Sequence, residues 1–181
     1  MTEDPDAALV LATRAGDRRA FEQLLARYER QVFNAAYRIL HHRDDAADVT
    51  QTAFLRAYEH LDRYDPAQRF FSWLYRIAIN EAMDVGGRRV PADVELDLLP
   101  DLAVGPDAQA DGDRSDARLQ GALMSLDVDQ RALVVLKHVQ DFSYEQIAEI
   151  LDCPVKTVKS RLFTARRALR DRLFERGWVQ A

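Results

Sequence analysis

The chain has 181 residues, a formal net charge of −5, 48% hydrophobic and 30% charged residues, seven Gly, six Pro and one Cys. That balance excludes a disordered chain, and a single cysteine excludes both an internal disulfide framework and a CxxC metal site. No apolar run approaches the roughly 18 residues a spanning helix needs, and Met1–Gly16 lacks a basic stretch with a cleavage site, so no membrane insertion and a cytoplasmic location are expected.

Few glycines and prolines with long 3.6-residue periodicity predict an all-α chain. Asp6–Ala15 reads as a short amphipathic helix ended by Gly16, and Asp17 as the cap of a long one, Arg18–His41. Along the latter Phe21, Leu24, Leu25, Tyr28, Val32, Phe33, Ala36, Tyr37 and Leu40 recur at helical spacing. His41 and His42 are adjacent, point in different directions and read as solvated residues at a helix end rather than metal ligands.

Arg43–Leu61 is the next predicted helix, with Ala46, Val49, Ala53, Leu55, Ala57, Tyr58 and Leu61 as its inner face. Asp44, Asp45 and Asp48 crowd its start, where the helix dipole favours anions. Two readings stand here: plain dipole capping, or an acid-amide patch of Asp45, Asp48, Gln51 and Thr52 suited to a basic partner. Tyr64–Asn80 follows with Tyr64, Phe70, Phe71, Trp73 and Tyr75 close together, a loop at Asp65-Pro66, and helical spacing from Phe70. Most of these rings belong in the core of a small helical domain. Yet Arg63, Arg69 and Arg76 interleave with them, a combination that also stacks on and grips unpaired bases.

Composition changes after Arg89. Pro91–Ala117 carries eight Asp/Glu against one Arg, with three prolines and no helical period, and reads as an acidic flexible linker. It divides the chain into an N-terminal helical domain (1–90), the linker (91–117) and a C-terminal domain (118–181). The second domain restarts a helical pattern at Arg118–Gln140, with Asp127 as a cap between two helices.

Asp141–Arg172 is the most informative stretch. Ser143 and Gln146 form a capping-box pattern, and Phe142 with Ile147 a candidate hydrophobic staple. Asp152-Cys153-Pro154 breaks the short helix that follows. In the next helix Val155, Val158, Leu162, Ala165, Leu169 and Leu173 share one face, opposite Lys156, Thr157, Ser160, Phe163, Thr164 and Arg167, with Lys159 and Arg161 flanking. Asp152–Arg176 holds eight Lys/Arg against three Asp/Glu, basic within an acidic chain. A short helix, a tight turn and a basic second helix fit a helix-turn-helix DNA reader; an ordinary helical hairpin with a solvated basic face remains the other reading.

Three segments in order, DDAADVTQTAFLRAY at Asp44–Tyr58, FFSWLYRIAIN at Phe70–Asn80 and FSYEQIAEILDCPVKTVKSRLFTARRALR at Phe142–Arg170, carry a family resemblance. The chain resembles a bacterial extracytoplasmic-function (ECF, group IV) RNA polymerase sigma factor along nearly its whole length. The resemblance implies two small helical domains, a region 2-like bundle and a region 4-like helix-turn-helix domain. It implies docking on the clamp helices of the largest subunit of core RNA polymerase, with Asp45, Asp48, Gln51 and Phe54 as contact or supporting residues. It implies opening of the promoter −10 element by Tyr64, Arg69, Phe70, Phe71, Trp73, Arg76 and Asn80, with Trp73 as support. It implies −35 recognition by Lys156, Thr157, Lys159, Ser160, Arg161 and Thr164, with Arg166 and Arg167 on the backbone. An anti-sigma factor, an acidic linker reaching into the polymerase cleft, no catalytic residues, no metal and no cofactor complete the expectation. Two departures accompany it. Asp152 and Lys156 stand where the family often has glycine, and Gly86-Gly87 is expected to interrupt the end of a helix. The alternative is a conventional LuxR-like helix-turn-helix regulator, whose N-terminal half would form a sensor rather than an acidic docking helix.

Overall fold

The computed structural model describes residues 5–88 and 119–175; within them every regular element is helical. The chain runs through α1 (Ala7–Arg14), α2 (Arg18–Leu40), α3 (Arg43–Glu59), a 3-10 turn (Leu61–Arg63) and α4 (Phe70–Arg88). A second group comprises α5 (119–124), α6 (Val128–Val134) running into a π turn (Val135–Val139), α7 (Tyr144–Ile150) and α8 (Val155–Glu175). The linker 91–117 lies outside the described residues.

Local signals set most helix ends. Gly16, at φ +96°, turns the chain out of α1, and the Asp17 carboxylate accepts from the Arg19 backbone N–H at 2.9 Å to start α2. Asp6 does not cap α1: it is fully buried, accepts from the Tyr28 hydroxyl at 2.5 Å and from Arg27, and so fastens α1 to α2. Burial first, and then Asp6, pushes the Tyr28 phenol above its usual range. His41 adopts the left-handed conformation (φ +51°) at the end of α2, and His42 caps α3 by accepting from the Asp45 N–H at 3.3 Å. Both histidines are exposed at helix ends, as expected, and His42 in addition caps α3.

Helices α2, α3 and α4 pack mutually around Leu24, Val32, Ile39, Val49, Ala53, Leu74 and Ile79. The inner face of α3 differs from expectation. Ala46, Val49, Thr50, Ala53, Phe54 and Ala57 are buried, whereas Leu55 and Tyr58 are 56% and 44% exposed. Small alanines let α3 approach its neighbours closely, and the two large residues fall outside that stripe. Gly86-Gly87 does not interrupt α4, which stays helical through Arg88. Gly86 is needed for clearance, since a Cβ there would lie 2.7 Å from Val128 Cγ2 of α6.

The second group repeats the pattern of caps. Asp127 accepts from Gln130 N–H at 2.8 Å, and the Ser143–Gln146 capping box forms in both directions at 3.1 and 2.8 Å. The carbonyl of Pro154 accepts from Thr157 and Val158 to open α8, while Asp152 takes φ +50° in the turn. Along α8 Val158, Leu162 and Ala165 are buried, but Val155, Leu169 and Leu173 are only half-buried, so the stripe fades towards both ends.

The two groups share one core. Phe142 packs edge-on against Phe71 and Tyr75 of α4 at 5.1 and 5.2 Å. Arg131 of α6 is buried and donates to the carbonyls of Leu123, Met124, Leu126 and, across the groups, Ile39. Burial lowers its pKa to about 10, so it remains a cation at neutral pH.

Candidate polymerase and nucleic-acid interfaces

A groove of about 990 Å³ runs between α2 and α3. Its apolar lining is Phe21, Leu25, Phe33, Phe54, Leu55 and Tyr58. Phe21 anchors the cluster, with its ring 4.9 Å from Tyr58 and 6.3 Å from Phe54 in edge geometry. Charged side chains, among them Arg18, Arg30 and Asp44, line the same groove. Of the four residues expected to dock polymerase, Gln51 and Phe54 line it. Asp48 is exposed outside that lining, and Asp45 sits beside His42, 3.2 Å from its Nδ1. Leu55 and Tyr58, expected to be core, belong to this surface; exposed apolar area of this extent on a helix pair suits a partner helix.

The connector between α3 and α4 and the start of α4 hold the residues expected at the −10 element. Arg69 and Asn80 are exposed and free to meet a ligand. Phe71, Trp73 and Arg76 are half-buried, while Tyr64 and Phe70 are 3% and 0% exposed, which makes them supports rather than surfaces on which bases stack. Arg76 donates to the Glu149 carbonyl of α7 at 2.6 Å and lies 3.5 Å from Asp152. Beside it the buried Ser72 hydroxyl donates to the Glu149 carboxylate at 2.7 Å. The polar side of α4 is thus engaged by the helix-turn-helix. Tyr75, fully buried in the same layer, has a hydroxyl without a hydrogen-bond partner, and burial pushes its phenol up.

On α8 the outer face is open. Lys156, Lys159, Ser160, Arg161, Thr164, Arg166 and Arg167 are all exposed, and Thr157 is half-buried. Phe163 projects among them at 71% exposure, an apolar side chain on a basic face. Its position was legible in the helical spacing, but no role attached to it there; apolar contact with a thymine methyl is chemistry it can supply. Three contacts steady the flank of this face. Lys137 and Lys159 each lie 5.4 Å from the Tyr144 ring centre, and Arg166 Nε donates to His138 Nε2 at 3.0 Å. Burial, then the Arg166 and Lys137 charges, hold His138 below its ordinary pKa, so it is neutral and can accept that bond.

Among the described residues no cluster of three or more His, Cys, Asp or Glu is placed to hold a metal ion, and no helix is long and apolar enough to cross a membrane. An open apolar groove, an aromatic-arginine connector and a basic helix-turn-helix on one helical chain define a DNA-reading transcription factor with a protein-docking half. Comparison with known proteins gives the class. Residues 24–87 match Sigma-70 region 2, and residues 116–169 match Sigma-70, region 4. The chain is 35% identical to the RNA polymerase sigma-H factor of Pseudomonas aeruginosa, over 93% of this chain and 94% of that one. It is 33% identical to the ECF RNA polymerase sigma-E factor of Haemophilus influenzae, covering 93% and 95%, and 35% identical to that of Escherichia coli K12, covering 93% and 94%. Among solved structures, CnrH in complex with the cytosolic domain of CnrY superposes with a TM-score of 0.72 at 29% identity, over 94% of this chain and 97% of that one. The sigma factor RpoE of Bartonella quintana, in complex with the anti-sigma factor NepR, gives 0.63 at 29% identity over 84% and 96%. The chain belongs to the ECF RNA polymerase sigma factors. It is an alternative sigma factor, and its region 2 and region 4 make core RNA polymerase and promoter DNA its partners.

Proposed function

We propose that the three surfaces divide the work of promoter-specific initiation, with no chemistry of the chain's own. The α2–α3 groove takes the polymerase clamp helices, with Gln51 in contact, the buried Phe54 backing the groove, and Asp45 and Asp48 supporting from the acidic start of α3. Connector and α4 residues open and hold the −10 element: Arg69, Phe71, Arg76 and Asn80 face nucleic acid, while Tyr64, Phe70 and Trp73 back them. Lys156, Thr157, Ser160, Arg161 and Thr164 choose the −35 sequence, and Lys159, Arg166 and Arg167 hold phosphates. Phosphate contacts set affinity and its salt dependence, and base-edge contacts set sequence choice.

The observation that carries this reading is the open outer side of α8, where seven of the eight residues assigned to the −35 element are exposed together. Arg76 can reach −10 DNA only after leaving Glu149, so region 2 and region 4 are proposed to separate when promoter is engaged. We assign 1–90, 91–117 and 118–181 as docking domain, acidic linker and −35 domain, acting in the cytoplasm. An anti-sigma factor is a further proposed partner, supported by the Bartonella quintana sigma factor RpoE, whose structure holds the anti-sigma factor NepR.

Run-off transcription with core polymerase across a randomised promoter library tests the assignment. Recovery of promoters with fixed elements near −10 and −35 is expected. Failure to open any promoter, with intact duplex binding by the protein alone, would instead favour a conventional helix-turn-helix regulator.

A further inference from the structure

The connector between α3 and α4 contains one 3-10 turn and otherwise irregular backbone, yet its exposed residues must keep a fixed shape to hold unpaired bases. Much of what fixes it comes from α1. Arg14, in the last turn of α1, donates from Nε and Nη2 to the Leu61 carbonyl at 3.0 and 2.8 Å. Nη2 also donates to the Tyr64 carbonyl at 2.5 Å and reaches that of Asp62 at 3.3 Å. The guanidinium carbon lies 5.8 Å from the centre of the Tyr64 ring. Tyr64 in turn packs on Phe70 and Trp73 at 5.9 and 5.3 Å, and its hydroxyl donates to the Gln68 carbonyl. Gln68 closes a turn by donating its N–H to the Asp65 carbonyl at 2.9 Å, and the Asp65 carboxylate accepts from Ala67 N–H at 2.9 Å. Arg69 follows directly.

The Leu61 carbonyl already accepts from the Tyr64 N–H at 3.1 Å within the 3-10 turn and keeps a second lone pair for Arg14, and the Asp62 and Tyr64 carbonyls converge on the same guanidinium edge. A planar fork satisfies several acceptors in fixed directions, which an ammonium on a flexible stem cannot. We propose that Arg14 is a positioning residue for −10 recognition: through the Leu61, Asp62 and Tyr64 carbonyls it sets the shape of 61–69, without touching DNA. The inference rests on the proposed reading of this connector as part of the −10 reader.

The test uses holoenzyme reconstituted from the full chain and core polymerase, on a promoter recovered from the library. The probes are single-stranded non-template −10 oligonucleotides carrying the preferred bases or single substitutions. Arg14→Ala is expected to lower discrimination between them roughly tenfold, the scale of losing a charge-assisted bond, with core binding and −35 duplex binding retained. Arg14→Lys should restore discrimination only in part. Tyr64→Phe, which breaks the bond to Gln68 and keeps the ring, should lower it in the same direction and covers the case of an Arg14→Ala chain that folds poorly. Arg69→Ala is the control on the reading itself. Loss of discrimination in Arg69→Ala with wild-type discrimination in Arg14→Ala and Tyr64→Phe would overturn the positioning role alone. Unchanged discrimination in Arg69→Ala would overturn the connector's part in −10 reading, and this inference with it. Parallel loss of core binding in Arg14→Ala would reduce Arg14 to a folding residue.

Discussion

Arg131 offers a quantitative check on how the two helical groups are joined. It is 8% exposed and donates to four carbonyls, at 2.9 Å to Leu123, 3.2 Å to Met124, 2.9 Å to Leu126 and 2.5 Å to Ile39. Four charge-assisted bonds at about 1.5 kcal/mol each amount to roughly 6 kcal/mol. Against this stands the desolvation of the cation, which lowers its pKa from 12.5 to about 10. At 1.36 kcal/mol per pKa unit, that is a burial cost of roughly 3 kcal/mol. Arg131→Met keeps volume, removes the buried charge and leaves the carbonyls without this donor, so a net loss of about 3 kcal/mol is expected. For a chain of this size that corresponds to a thermal midpoint about 6–12 °C lower, with a matching drop in the urea midpoint. Arg131→Lys, which reaches fewer of the carbonyls, should fall between. A loss below about 1 kcal/mol in Arg131→Met would refute the picture of a stabilising buried cation.

Other outcomes follow from single contacts. Tyr75→Phe removes the buried hydroxyl that has no partner, so it should raise stability by about 1 kcal/mol; a destabilised variant would mean the hydroxyl is bonded. Leu55→Asp, on an exposed groove position, should weaken core polymerase binding at least tenfold in a fluorescence titration while leaving the melting curve unchanged. Arg161→Ala is expected to lose about 1–3 kcal/mol on −35-dependent initiation and to spare core binding; equal loss on promoters lacking the −35 element would remove it from sequence choice. His138 is held below the ordinary histidine pKa of 6.5 when folded, so the unfolded chain takes up its proton first as pH falls. Stability should therefore drop as pH passes below about 6.5, and less so in His138→Gln; parallel pH profiles would count against the Arg166–His138 bond.

Helical periodicity located α2, α4, α7 and α8 because each carries a stripe that must be buried, and short-range chemistry located the Asp17, Asp127 and Ser143 caps. Both signals are local. What periodicity could not see is whether an apolar residue faces this chain's own core or a partner's. Leu55 sits about 180° round α3 from the Ala46–Ala53–Ala57 stripe. Treated as core, it broke the period, and that break was the available sign of a surface. Around Tyr64 and Phe70 the same ambiguity runs the other way: aromatic residues near arginines fit both a core and a stacking platform, and only packing shows that these two rings are walled in.

Long-range side-chain to backbone contacts were illegible for a different reason. Arg14 meets a carbonyl 47 residues away and Arg131 one 92 residues away, and a backbone carbonyl leaves no trace in sequence. These two arginines nonetheless occupy corresponding places in the design. Each sits on a short helix and gathers several backbone carbonyls near places where helical chain ends. Arg14 thereby holds the α3–α4 connector to α1, and Arg131 ties α6 to the end of α2. Among the described basic residues, Arg14 and Arg131 satisfy backbone carbonyls, whereas those assigned to the −35 element on α8 stay exposed. Charge counting alone credits both to nucleic acid; only the exposed set should change the salt dependence of promoter binding when it is replaced.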